Sequence, residues 1–112
     1  MNKAYYYTYR TTWFEEDQQF AGLCTEFPSL SWLEDSPEKA LDGIRKLVNE
    51  VLEEMSHSKE AIPEPLSKKQ FSGKFVVRML PAQHRSLAIE AAENQTSLNS
   101  LINYKLSKSS DP

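Results

Sequence analysis

Lys74, Val76 and Arg78 stand at alternate positions in Ser72-Gly73-Lys74-Phe75-Val76-Val77-Arg78-Met79, so on a β-strand they share one face. Phe75, Val77 and Met79 take the other face. Two cations flanking a small apolar side chain suit a two-stranded ribbon laid in the DNA major groove. Arg and Lys pair there with guanine edges, and a methyl-bearing side chain meets the thymine methyl. A plain solvated strand gives a similar pattern, because Lys and Arg often alternate on half-exposed strands. The neighbourhood favours DNA. Ser97 precedes Leu98-Asn99 as a helix cap, and the amides behind Ser97, Leu98 and Asn99 offer a phosphate site. Lys68, Lys69 and Arg85 add positive potential.

The second set of chemically capable residues is acidic: Glu15-Glu16-Asp17, with Glu26, Glu34 and Asp35. A two-metal nuclease needs carboxylates held on rigid elements and converging on one point. Three adjacent acids in a turn point in different directions, and Glu34-Asp35 sit just before a helix, where negative charge suits the dipole. No catalytic residue is therefore assigned, and the chain is not expected to be an enzyme. Cys24, His57 and His84 lack the spacing of a zinc site, so no metal site is expected either. Cys24 lies in an apolar stretch and reads as an inert small hydrophobe. Neither a Gly-rich phosphate loop nor a Gly-x-Ser-x-Gly elbow occurs, and no cofactor is expected.

These residues need elements to position them. Tyr5-Tyr6-Tyr7-Thr8-Tyr9-Arg10-Thr11-Thr12-Trp13 is aromatic and β-branched and predicts a strand. Glu15–Gln19 makes a connection, Phe20–Thr25 a second strand and Leu30–Leu33 a third. Ser36-Pro37 then opens a helix, with Ser36 as N-cap and Pro37 at the first position. Ala40, Leu41, Ile44, Leu47, Val48, Val51, Leu52 and Met55 form its apolar stripe, which fades by Lys59. Ala61-Ile62 is a short edge segment, giving a βββα(β) pattern over the first half. The second half predicts a strand over Ser72–Met79, a helix from Pro81 to Asn94, a turn at Gln95-Thr96, and a helix capped by Ser97. The tail after Ser107 is expected to fray.

One strand and two helices over about 35 residues cannot bury enough apolar surface alone. A lone strand also leaves both edges unpaired. A two-fold dimer repairs both defects by pairing the strands and interleaving four helices, which is a ribbon-helix-helix unit. Charge divides the chain the same way: residues 1–66 carry 6 Lys/Arg against 13 Asp/Glu, and residues 67–112 carry 7 against 3. Pro63-Glu64-Pro65 supplies a stiff connector between the halves. With 112 residues, one cysteine, no apolar run of membrane length and no apolar signal core at the N-terminus, the chain is expected to be cytoplasmic, without a membrane partner.

Over nearly its whole length the sequence resembles HicB-type antitoxins. Ser72–Pro81, His84–Glu93 and Ser97–Ile102 are similar to the C-terminal ribbon-helix-helix domain of that family. Tyr9–Trp13, Phe20–Cys24, Glu26–Leu33 and Pro37–Leu41 are similar to its N-terminal domain. Met79-Leu80-Pro81 departs from a common Leu/Val-Pro-Pro pattern, and the hairpin lacks the frequent Asp-Gly. The resemblance implies an antitoxin of a bacterial type II toxin–antitoxin pair. Its N-terminal domain, a decayed RNase H-like fold, would bind a HicA-type mRNA-cleaving toxin, and its C-terminal domain would repress the operon by binding operator DNA. The family's strand positions fall on Lys74, Val76 and Arg78.

On this reading the fold is α+β. Residues 1–62 form the toxin-binding domain, 63–71 a linker, 72–107 the ribbon-helix-helix DNA-binding domain and 108–112 a flexible tail. An RNA-cleaving toxin needs a basic surface, and an acidic partner would be steered onto it. Glu15, Glu16 and Asp17 are the candidates for that contact. A homodimer forms through the C-terminal domain, and a tetramer through the N-terminal domains is compatible with it. The alternative is a free-standing repressor whose N-terminal domain senses a ligand. A nuclease would require metal-dependent RNA cleavage by this chain alone.

Overall fold

Helix α1 (Pro37–Ser58) begins where Ser36-Pro37 predicts. The Ser36 hydroxyl accepts the Lys39 N–H at 3.2 Å, and Pro37 fills the first turn, where a missing N–H is harmless. Ala40, Gly43, Ile44, Val48 and Leu52 form its buried stripe, and Lys59 ends the helix in the left-handed region. The structure is a computed structural model and describes residues 3–109. It divides into two units, the first ending at Ser72 and the second beginning at Gly73.

In the first unit α1 packs on a three-stranded antiparallel sheet, β1 (Tyr9–Phe14), β2 (Gln19–Cys24) and β3 (Ser31–Glu34), in that spatial order. The strand predicted from Tyr5 begins only at Tyr9. Lys3–Tyr6 instead forms a short 3₁₀ helix. Ala4 is fully buried, and its carbonyl accepts the Tyr9 hydroxyl at 2.6 Å and the Tyr7 N–H at 3.4 Å. This local closure overrides the β-propensity of the tyrosines. The sheet register places Tyr9, Thr11 and Trp13 on the same face as Phe20, Gly22, Cys24, Trp32 and Glu34. That face meets α1. A Cβ on Gly22 would collide with the Ala40 carbonyl oxygen, and one on Gly43 with the Trp32 indole, so two glycines let helix and sheet approach closely. Ala4, Tyr7, Cys24, Phe27, Ile44, Val48 and Leu52 make one continuous core.

The edge segment expected at Ala61-Ile62 does not form a strand. Pro63 and Pro65 follow it and cannot donate ladder bonds. The connector lies instead against the first unit. The Pro63 carbonyl accepts the Tyr7 hydroxyl at 2.6 Å, the Leu66 N–H donates to Glu26 at 2.9 Å, and the Ser67 hydroxyl donates to the Tyr6 carbonyl. Lys68 places its ammonium 4.0 Å from the centre of the Tyr6 ring.

The second unit contains α2 (Pro81–Glu93) and α3 (Leu98–Ser109), joined by a tight turn with Gln95 in the left-handed region. The strand predicted over Ser72–Met79 is not formed. A strand exists only through ladder bonds to a neighbour, and among the described residues this segment joins no ladder. The tail expected to be flexible from residue 108 is helical through Ser109, while residues 110–112 lie outside the described residues, as do Met1 and Asn2. Among the described residues, no helix is long and apolar enough to cross a membrane.

Candidate functional site

The second unit is built around a groove rather than a core. Of its described residues only Ala91 and Leu101 are buried. Phe75, Val77 and Met79 line an open cavity of about 560 Å³ together with Leu98, Ile102 and Leu106 of α3. The apolar parity of the 72–79 segment therefore already turns toward the helices without any strand pairing. Val76 and Arg78, of the opposite parity, are exposed and lie outside the groove, with Val76 85% accessible. Lys74 is exposed as well, but it lines the groove, as does Asn99. Gly73, with φ of 82°, turns the chain into this segment, and a Cβ added there would meet nothing within 4 Å.

Ser97 caps α3. Its hydroxyl accepts the Ser100 N–H at 3.0 Å and donates to the Ser100 hydroxyl at 2.8 Å. The cap occupies the Ser100 amide, so the amides facing outward at this helix start are those of Leu98 and Asn99. Lys105 and Glu90 tie α3 to α2 by a 3.1 Å ion pair. His84, in the first turn of α2, also lines the groove.

In the first unit several of the acidic residues have local tasks. Glu15 accepts the Trp13 indole N–H at 2.6 Å and the Gln18 side-chain amide at 3.1 Å, closing the β1–β2 turn. The indole, then the amide, hold its carboxyl below the ordinary value. Glu16 and Asp17 are exposed in the same turn. Glu34 accepts the Trp32 indole N–H at 2.9 Å, and Asp35 pairs with Lys39 at 3.3 Å. Glu26 accepts the N–H groups of Thr8 and Leu66, each at 2.9 Å, and the Thr8 hydroxyl at 3.1 Å. Partial burial pulls its pKa upward, but these donors outweigh it and the net shift is down. Cys24 is buried, which pushes its thiol up. Among the described residues, no three His, Cys, Asp or Glu side chains gather into a potential metal site.

Tyr5, Tyr6, Tyr7, Tyr9, Trp13 and Trp32 are rings that the sequence offers as anchors for a partner, with most of them expected in the core. Trp13 and Trp32 are 43% and 41% exposed although the sheet's helix side carries them both. The Arg45 guanidinium lies over the Tyr5 and Tyr9 rings at 5.2 and 5.7 Å, and its Nε is buried without a partner. The alternation Tyr9-Thr11-Trp13 was the available signal for a shared face. How far along that face the helix reaches depends on the Gly22–Ala40 approach, which no local pattern encodes.

Residues 57–106 match the model of the HicB family. The matched span begins in the last turn of α1, takes in the connector and α2, and ends within α3. The match covers 50 of the 112 residues and supports a relationship to the HicB family over that span. No curated protein and no solved structure matches the chain.

Proposed function

We propose that this protein is an antitoxin that masks an mRNA-cleaving HicA-type toxin with its first unit and represses its own operon with its second. In this reading the second unit is one half of a ribbon-helix-helix dimer, and the first is a decayed RNase H-like domain with no catalysis of its own. The carrying observation is the open groove between the 72–79 segment and α3, which leaves Phe75 and Val77 79% and 59% exposed. Side chains of that size at one parity, on a segment in no strand ladder among the described residues, fit a second copy that supplies both a strand and a helix face. Pairing would convert the segment into a ribbon and turn Lys74, Val76 and Arg78 of both copies outward as one surface. In the major groove the two cations of each copy would read guanine, and Val76 the thymine methyl. The start of α3, with Ser97 and Asn99, would hold a phosphate.

The family match over residues 57–106 supports the antitoxin role, and the excess of acids in the first half supports a basic partner. Masking would be steric, with the acidic unit covering the surface the toxin uses for RNA phosphates.

The test is fluorescence anisotropy on DNA from just upstream of the reading frame, at two salt concentrations. Wild type should bind tightly and with strong salt dependence. Lys74→Ala/Arg78→Ala should lose about 2–4 kcal/mol, or roughly 30- to 1,000-fold, together with most sequence preference. A well-folded dimer without sequence-selective binding would reduce the second unit to a dimerisation device.

A further inference from the structure

We infer that Trp13, Phe20 and Trp32, with Glu15 and Glu34, form a docking surface for an Arg or Lys side chain of a basic protein partner. The inference rests on the masking role proposed above and states where on the first unit it is exercised.

The sheet register sets the geometry. Trp13, Phe20 and Glu34 stand in one row across β1, β2 and β3, and Thr11, Gly22 and Trp32 stand in the next. Both rows belong to the helix side. Helix α1 sits down over the second row, where Gly22 meets Ala40 and Trp32 meets Gly43. The first row lies beyond that close approach, at the hairpin end. Trp13 packs edge-on against Phe20 with ring centres 5.0 Å apart, yet 43% of Trp13 and 41% of Trp32 stay open to solvent. Large aromatic side chains left part-exposed on one face of a sheet are common anchors of protein interfaces.

Charge chooses the occupant. Each indole N–H is already used, Trp13 donating to Glu15 and Trp32 to Glu34, so what the rings leave open to a partner is ring surface rather than a donor, and for Trp32 only the part that Gly43 does not cover. The same bonds fix a carboxylate beside each ring. Glu16, Asp17 and Asp35 extend the acidic character of this end of the sheet. Lys39, the nearby cation, is engaged with Asp35 at 3.3 Å. A guanidinium or ammonium gains from both the ring face and the carboxylates, whereas phosphate is repelled and a purely apolar partner would desolvate the acids without compensation.

The protein encoded beside this reading frame is the probe, titrated against the full-length chain labelled with 5-fluorotryptophan. The chain has two tryptophans, both on this surface, so two fluorine resonances report it directly. Both should shift on binding. Trp13→Ala and Glu34→Lys should each weaken the complex about 30-fold or more, as expected of interface anchors. Leu33→Ala, on the opposite sheet face, should stay within about three-fold, as a residue outside the interface does. Unchanged thermal melts and DNA affinity verify that the variants fold. Should the probe bind while neither resonance moves and both variants bind like wild type, the docking surface is wrong and masking stands. If wild type does not bind the probe at all, masking and docking surface fall together. Loss of self-association by Trp13→Ala, with probe binding intact, would assign the surface to a second copy and also overturn the inference.

Discussion

In the first unit, Ile44 and Val48 are wholly enclosed between α1 and the sheet, and Tyr7, Phe27 and Leu52 complete a continuous core. In the second, Ala91 and Leu101 are the buried residues, while Phe75, Val76 and Leu80 stand 79%, 85% and 73% exposed. Yet the two share the same ingredients. Each has a run of β-branched and aromatic residues and at least one Ser-capped helix. What differs is whether the chain supplies its own strand partner. β1 finds β2 four residues after it ends, across a turn closed by Glu15 and Gln18. The 72–79 segment finds none and stays irregular, although its apolar parity already faces α3. Strand propensity alone therefore does not make a strand; a partner within reach does.

The largest expected effect tests whether that missing partner is a second copy. Val77→Asp puts a carboxylate into the groove that the other protomer would fill. Burying an unpaired charge there should weaken self-association by about 4 kcal/mol, roughly a thousand-fold, in sedimentation equilibrium. The melt of the first unit should not change. A Val77→Asp protein that associates like wild type would break the comparison, because the second unit would then be complete in a single chain.

The enclosed core of the first unit gives an effect of similar size. Ile44→Ala removes a fully buried side chain at the centre of the α1–sheet contact. It should cost the first unit about 2–5 kcal/mol, the range for buried Ile to Ala, read from urea denaturation by intrinsic tryptophan emission. Self-association should be unaffected. If Ile44→Ala lowers both, the units fold as one cooperative block and their separate treatment fails.

Legibility followed the range of the interactions involved. Helix α1 could be read to the residue at its start, because Ser36, Pro37 and the apolar stripe are local signals. The α2–α3 hairpin with its Ser97 cap could be read for the same reason. The 3₁₀ helix at Lys3–Tyr6 could not, because a buried Ala4 carbonyl and the hydroxyl of Tyr9 decide it, against strand-favouring residue types. Within the candidate surfaces, the alternation of Lys74, Val76 and Arg78 was plain, but that Lys74 lines the groove was not. The acids show the limit most clearly. Glu15, Glu16 and Asp17 look alike in sequence, whereas in the fold Glu15 closes a turn and holds an indole, and the other two face solvent. Glu26, remote from that cluster, turns out to hold the connector.

The smallest expected effect concerns that attachment, and so the boundary of the self-sufficient unit. Glu26 bonds as a carboxylate to Thr8 on one side and to Leu66 on the other, spanning 40 residues of sequence to the connector. Its folded pKa lies below the ordinary 4.5, so ionised Glu26 favours the folded state. Its stabilising contribution is full above that ordinary value and fades as pH falls below it, through the lowered folded value. Protonation removes acceptor capacity from the oxygen that holds Leu66, and the connector should loosen first, before the sheet–helix core. In a two-dimensional NMR titration, the Thr8 and Leu66 amide resonances should move together with one apparent pKa under 4.5. Glu26→Gln keeps an acceptor but abolishes the titration, so both resonances should stop moving and the acid limb of the stability curve should flatten. The same substitution should leave self-association at neutral pH unchanged, since the groove lies wholly in residues after Ser72. If Leu66 titrates unchanged in Glu26→Gln, another carboxylate holds the connector, and the first unit's boundary must be redrawn without this bond.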